Sequence, residues 1–172
     1  TIIHDAVLAG FQPKAIFVTQ NFIDKHKDFA QFLEKNKITQ YFLITLRINK
    51  SFSQLNTPSG VAAIFDQPQT QIDYQADNII YLNKINDPGN LGTILRSALA
   101  FNLKNIIIDQ QSVDVFNPKT IQAAKDSIFK LNIQYDKDLK ILNKIKNNRQ
   151  VVVTSLQANK ILQELESQKI IK

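Results

Sequence analysis

A turn, a helix start and a single arginine follow one another within residues 87–98. Pro88-Gly89 predicts a type II turn, because proline presets φ at the second turn position and glycine permits a positive φ at the third. Asn90 then occupies the position of a helix N-cap. The apolar side chains that follow recur with helical spacing, at Leu91, Ile94, Leu95, Ala98 and Leu99. This pattern predicts a helix over residues 91–101 that buries one face.

Arg96 lies off this apolar stripe, on the same side of the helix as Gly92 one turn earlier. Because glycine has no side chain, we expect the helix surface in front of the guanidinium to be bare and open to a ligand. A charged residue on the polar face of a helix is more often simply solvated. The spacing alone therefore does not establish a functional site.

Composition excludes several classes of protein. The sequence has no cysteine, so it can form neither disulfides nor thiolate metal sites, and its two histidines, His4 and His26, are far apart in the sequence. We therefore expect no metal site and no histidine-based triad. No apolar run reaches the roughly 18 residues of a membrane span and no signal-peptide pattern opens the chain, so we expect a cytoplasmic protein with no membrane partner. The net charge of +6 favours a polyanionic partner, although the lysines are scattered.

Two αβ units and a polar joint are predicted along the chain. Residues 1–66 form the first unit, residues 67–77 a linker without periodic apolar signal, and residues 78–172 the second unit. In the first unit we expect helices at 4–8 and 28–37 and strands at 15–18, 41–44 and 61–65. In the second unit we expect strands at 78–82, 106–109 and 151–154 and helices at 91–101, 118–129, 139–146 and 158–166. The continuous apolar runs of these strands predict a parallel sheet covered on both faces by helices.

Residues 87–98 read Asp-Pro-Gly-Asn-Leu-Gly-Thr-Ile-Leu-Arg-Ser-Ala. This wording resembles the first signature motif of the SpoU (TrmH) family of RNA ribose 2′-O-methyltransferases, D-P-x-N-hydrophobic-G-x-hydrophobic-hydrophobic-R-[ST]-A. The family's next helix and the strand leading out of it resemble residues 117–119 and 128–131. The family's N-terminal substrate-binding domain is similar to residues 57–63. The resemblance implies an α/β protein in which a small αβα RNA-binding domain precedes a parallel-sheet SPOUT-type (trefoil-knot) methyltransferase domain.

The resemblance also implies an activity, namely methyl transfer from S-adenosylmethionine to a ribose 2′-hydroxyl of RNA. Ribosomal RNA is favoured over tRNA, because a first unit of this type is more common on the family's large-subunit rRNA enzymes. In the family, the arginine matching Arg96 is proposed to activate the hydroxyl with help from an RNA phosphate, and the asparagine matching Asn90 orients the site. Gly92 and Thr93 are candidate substrate neighbours at a helix N-terminus, with ordinary helix packing as the alternative. A homodimer is implied for the full-length protein, since family members build each active site from both subunits.

Two departures from the family pattern are visible. The Asn-Glu-Gly loop and the Ser-Leu-Asn segment, which build most of the family's S-adenosylmethionine pocket and tie the knot, do not occur. The methyltransferase domain therefore looks cut before the knot, the cofactor-binding residues are unknown, and residues 1–172 alone are expected to be inactive. In addition, an Arg-Ala-Ser-x-Gly pattern common in the family reads Gln-Ala-Ala-Lys-Asp at residues 122–126.

Two other interpretations remain open from the sequence. One is a non-catalytic RNA-binding protein derived from the same family, which the missing motifs favour if the natural chain ends at Lys172. The other is an unrelated αβ enzyme that binds a nucleotide or phosphate at residues 89–93, although neither G-x-G-x-x-G nor a Walker A sequence is present.

Overall fold

The first αβ unit is built on a three-stranded mixed sheet. The computed structural model describes residues 1–53, 57–155 and 157. The elements of this unit are α1 (Ile2–Leu8), β1 (Ala15–Thr19), α2 (Gln20–Lys25), α3 (Lys27–Lys35), β2 (Phe42–Ile44), α4 (Leu46–Phe52) and β3 (Val61–Ile64). The strand order is β2-β1-β3, with β1 parallel to β2 and antiparallel to β3. The predicted helices and strands are present, whereas α2 and α4 were not predicted. These two helices are short, and each is started by a threonine cap, Thr19 or Thr45.

The second unit carries a parallel sheet, as the sequence predicted. Its elements are β4 (Ile80–Leu82), α5 (Pro88–Ala100), β5 (Asn105–Asp109), α6 (Pro118–Ala124), a 3₁₀ helix (Lys125–Phe129), β6 (Asn132–Asp136) and α7 (Lys140–Ile145). The strand order is β4-β5-β6, and both pairs are parallel. The central strand β5 is buried along its whole length, which accounts for its continuous apolar run. The edge strand β6 alternates apolar and polar residues and was not among the predicted strands.

Helix α5 begins three residues earlier than predicted. Asp87 is its N-cap, with Oδ1 accepting a hydrogen bond from the backbone N–H of Asn90 at 2.7 Å. Pro88 occupies the first helical position, where its fixed φ suits a helix and its missing N–H costs nothing. The predicted turn at Pro88-Gly89 and the predicted Asn90 cap are therefore wrong, because the aspartate one residue before the proline is the stronger cap.

Two further predictions about the second unit need correction. The helix predicted over residues 118–129 ends at Ala124, and the chain continues in the 3₁₀ helix after a positive φ of 58° at Lys125. Residues 151–154 are not a strand, and their valine side chains are exposed, because no strand in the described part of the chain lies beside them to accept their backbone hydrogen bonds. The predicted helix at 158–166 lies outside the described residues.

Residues 65–79, which contain the predicted linker, have no helix or strand but are fastened to the second sheet. Thr70 Oγ1 accepts a hydrogen bond from the N–H of Ile133 at 2.9 Å, and the N–H of Asp73 donates to Asn105 Oδ1 at 2.9 Å. The Arg149 guanidinium donates to the carbonyls of Ala76, at 2.7 Å, and Tyr74. Ile72 is buried in the same segment.

The two units meet at the 3₁₀ helix. The ring of Phe129 lies 5.3 Å from that of Phe11 and 6.3 Å from that of Phe65, measured between centroids. Helix α1 of the first unit contacts the same 3₁₀ helix, which in turn packs on α5. The first unit is therefore docked beside the helix that carries the signature motif.

Helices α5 and α6 approach each other closely at Gly92. A Cβ atom placed on Gly92 would lie 2.5 Å from Ala123 Cβ, 2.6 Å from the carbonyl oxygen of Thr120 and 2.8 Å from the backbone nitrogen of Ala124. Only glycine fits this contact without moving a backbone. The expectation of a bare helix surface at Gly92 is therefore wrong, because α6 covers it.

We predict that Gly92→Ala destabilises the protein by about 1–3 kcal/mol, since the added methyl group has to displace the backbone of α6. Urea unfolding followed by circular dichroism measures this loss. The matched control is Gly89→Ala on the same helix, where a Cβ meets only the side-chain Oδ1 of Asp87, at 3.1 Å. The control should lose less stability than Gly92→Ala, because its added methyl group meets a side-chain atom and not a backbone. Equal destabilisation by the two substitutions would contradict the close contact.

Candidate functional site

Three of the predicted site residues lie on one exposed strip of α5, which we call the α5 ridge: Asn90, Thr93 and Arg96. Residues three apart on a helix are surface neighbours, so the ridge extends for about 9 Å along the axis. The opposite face of the helix buries Leu91, Leu95 and Ala98 in the core. The fourth predicted residue, Gly92, is instead buried against α6, so a substrate could reach its Cα only by displacing that helix.

The two residues predicted to be catalytic are free to bind a ligand. Within the described residues, the side chains of Asn90 and Arg96 form no hydrogen bond or ion pair. Thr93 Oγ1 donates to the carbonyl oxygen of Gly89 at 2.8 Å, which leaves its oxygen able to accept a further hydrogen bond. The ridge therefore offers a guanidinium, a carboxamide and a hydroxyl to solvent.

The loop that leads into α5 is held by a buried carboxylate at the end of β5. Asp109 Oδ2 accepts from the N–H of Lys84 at 3.1 Å, and its Oδ1 accepts from the N–H and the hydroxyl of Ser112, at 2.9 and 2.6 Å. Ser112 Oγ in turn accepts from the N–H of Ile85 at 2.9 Å. These bonds join the loop before α5 to the loop after β5, and so fix where the signature helix starts.

A second buried carboxylate closes the end of β6. Asp136 accepts from the backbone N–H groups of Ile141 and Leu142, at 2.8 and 2.9 Å, and from the hydroxyl of Tyr81 at 3.1 Å. Burial raises the pKa of Tyr81 to about 12, and the hydrogen bond to Asp136 and the charges of Asp136 and Asp109 add to this. The phenol therefore stays protonated at neutral pH and acts as a donor.

The loop before α6 is ordered in the same way. Asp114 Oδ1 accepts from the hydroxyl of Tyr135 and from the N–H of Phe116, both at 3.0 Å. The same Tyr135 oxygen accepts from the N–H of Val115 at 2.9 Å. Burial raises the pKa of Tyr135 to about 12; the Val115 N–H opposes this rise and Asp114 reinforces it. Sequence reasoning missed Asp87, Asp109, Asp114 and Asp136. An aspartate directly after a buried strand or before a helix is the signal that could have identified them.

The described part of the chain offers no three histidine, cysteine or acidic side chains placed to hold a metal ion. Both histidines line one cavity of about 340 Å³ in the first unit, where His4 packs on Phe32 and His26 on Phe22. They are therefore near each other in space despite their sequence separation. Within the described ranges, no helix has the length and apolar character that crossing a membrane requires.

Comparison with known proteins relates the second unit to one family. The family model described as the SpoU rRNA Methylase family matches residues 77–171, which is more than half of the chain. The human protein named rRNA methyltransferase 3, mitochondrial, is 30% identical over 142 residues, covering 77% of this chain and 32% of the human protein. The Bacillus subtilis protein named 23S rRNA (guanosine(2553)-2'-O)-methyltransferase RlmP is 28% identical over 94 residues, covering 55% of this chain and 38% of RlmP. This chain thus spans about a third of the length of these curated relatives.

Solved structures show the same fold. The SpoU methyltransferase AviRb from Streptomyces viridochromogenes superimposes with a TM-score of 0.67 at 20% identity, covering 85% of this chain and 55% of AviRb. The structure of AviRb in complex with the cofactor AdoMet superimposes with a TM-score of 0.66 at 19% identity. The parallel sheet, the signature helix and the family model agree, and the chain belongs to the SpoU rRNA methylase family.

Proposed function

We propose that the protein methylates a ribose 2′-hydroxyl of RNA with S-adenosylmethionine as methyl donor, and that the RNA is ribosomal rather than transfer RNA. The observation that carries this proposal is the α5 ridge on the signature helix of a SpoU family member, where Arg96 and Asn90 are exposed and have no side-chain partner among the described residues. The names of the human and Bacillus relatives as rRNA methyltransferases support the choice of RNA.

Methyl transfer to a ribose hydroxyl needs a group that stabilises the oxygen as its proton leaves. Four carboxylates of the second unit already accept hydrogen bonds within the fold: Asp87, Asp109, Asp114 and Asp136. Tyr81 and Tyr135 hold their protons at neutral pH. Arg96 is the unengaged charged group on the ridge. Its guanidinium can hold an RNA phosphate with two parallel hydrogen bonds and lower the cost of negative charge on the adjacent 2′-oxygen. The proton of the hydroxyl would pass to solvent water as the oxygen accepts the methyl group.

The remaining ridge residues have positioning roles in this proposal. The Asn90 carboxamide offers both donors and an acceptor to the ribose, and Thr93 lies between the two proposed catalytic residues. Gly92 contributes through its contact with α6, which sets the direction in which the ridge faces. A homodimer is part of the proposal because family members complete each active site with a second subunit.

S-adenosylmethionine would supply the electrophilic methyl group. The fit is incomplete in this chain, because residues 1–172 contain neither the Asn-Glu-Gly nor the Ser-Leu-Asn segment that forms most of the donor pocket in the family. We therefore assign no donor-binding residue. The second candidate function is an RNA-binding protein of this family without catalysis, which would need only the exposed side chains of the α5 ridge.

The first prediction is that the full-length product of this gene transfers a labelled methyl group from S-adenosylmethionine to rRNA and that the label is found on a ribose. Nucleoside mass spectrometry of in-vitro transcribed 23S rRNA and of a tRNA transcript measures this. Label on a base alone would contradict the proposed reaction, and RNA binding without transfer would select the non-catalytic alternative.

The second prediction is that Arg96→Ala abolishes methyl transfer while changing stability by no more than about 0.5 kcal/mol, because the side chain is exposed and contacts no partner within the described ranges. Arg96→Lys should not restore activity, since an ammonium lacks the planar fork of a guanidinium. Lys144→Ala, which removes an exposed cation from α7 of the second unit, is the control and should keep wild-type activity. If Arg96→Lys retained most of the activity, the role given to the guanidinium would be wrong.

A further inference from the structure

Lys125 has a backbone conformation that lysine rarely adopts. Its φ of 58° and ψ of −131° correspond to the first central position of a type II′ turn, which glycine dominates. A non-glycine residue held there is strained, and such strain persists where the surrounding structure imposes it. The glycine of the family's Arg-Ala-Ser-x-Gly pattern matches Asp126, one position after Lys125. The strained position 125 is therefore not the glycine position of that pattern.

Lys125 also lies where three parts of the molecule meet. It directly follows Ala124, whose backbone nitrogen faces Gly92 on α5. It is also the first residue of the 3₁₀ helix, on which α1 and the aromatic rings of the first unit are docked. Lys125 therefore lies between the first unit and the helix that carries the α5 ridge.

The charge of Lys125 is not neutralised by its neighbours. Asp126, the adjacent acidic residue, is paired with Lys130 at 2.6 Å, and this hydrogen bond raises the pKa of Lys130. Asp5 of α1 lies near Lys130 and within 3.8 Å of His4. Lys125 itself is exposed and has no ion-pair partner within the described residues.

We propose that Lys125 binds a backbone phosphate of the RNA substrate at the junction between the two units. This inference rests on the proposed function, because it presumes an RNA substrate on the α5 ridge. In this proposal the strained backbone conformation of Lys125 is retained because it places the lysine ammonium group where it binds the phosphate. A phosphate contact carries no sequence information, so its loss should weaken the binding of every RNA by the same factor.

Substitutions at position 125 separate the charge from the strain. Lys125→Gly removes both and should raise the melting temperature by about 2–4 °C while weakening RNA binding about fivefold. Lys125→Ala removes the charge and keeps the strain, so it should weaken binding equally with no gain in melting temperature. Lys125→Arg should bind RNA as the unsubstituted protein does. The control is Lys144→Ala on α7, a helix that packs on β6, and it should leave the affinity nearly unchanged.

Filter binding of the full chain to in-vitro transcribed 23S rRNA and to poly(U), at several KCl concentrations, measures these effects. Loss of one phosphate contact should reduce the slope of log affinity against log salt by roughly 0.7–0.9. Unchanged affinity and slope in both Lys125→Gly and Lys125→Ala would overturn the inference, because the strain would then serve the packing alone. That outcome would not contradict the proposed methyl-transfer activity, because it concerns Lys125 alone. If the unsubstituted protein bound neither RNA, the inference and the proposed function would both fail.

Discussion

The contact between Gly92 and the backbone of α6 is the constraint on which the arrangement of the second unit depends. With distances of 2.5–2.8 Å from a virtual Cβ to three α6 atoms, the two helices are held at their closest approach. This contact places Leu91 and Leu95 in the core and turns the opposite face of α5 to solvent. Gly92 of the signature motif thus has a structural role on the side of α5 that faces α6. Its contact with α6 determines which side chains of α5 face solvent.

Acidic side chains at the ends of β5 and β6 order the segments around the second sheet. Asp109 and Asp136 are almost fully buried, and a buried carboxylate is tolerated only when hydrogen bonds replace its hydration. Asp109 meets this requirement with the N–H groups of Lys84, in the loop before α5, and of Ser112. Asp136 meets it with the N–H groups of Ile141 and Leu142 in α7. These carboxylates therefore have a structural role, and Arg96 is the charged residue of the ridge.

The sequence predicted the parallel sheet and the signature helix because both depend on local patterns. Strand β5 is apolar at successive positions because both of its faces are buried. Helix α5 is apolar with helical spacing because only one of its faces is buried. The start of α5 was placed too late because Pro88-Gly89 fits a turn and a first helical turn equally well. The choice between them depends on the Asp87 side chain, which caps the helix.

Other features depended on partners that are distant in sequence. The valines at 151–153 have the composition of a strand but no strand beside them in the described residues, whereas β6, with alternating polarity, pairs with β5 along its length. The close approach at Gly92 and the docking of the first unit on Phe129 arise between segments that no local pattern connects. The roles of Asn90, Thr93 and Arg96 remain predictions, since the structure shows their exposure and not their ligand.

The most direct test of this account is an NMR titration of the ¹⁵N-labelled protein with an rRNA fragment, observed at the arginine Nε–H and asparagine Nδ2–H₂ signals. The account predicts that the signals of Arg96 and Asn90 shift on addition of RNA. The chain has two other arginines, and Arg149, held by backbone carbonyls of residues 74–77, should not shift. Shifts confined to the first unit, with Arg96 and Asn90 unchanged, would contradict the claim that the α5 ridge is the surface at which RNA is bound and modified.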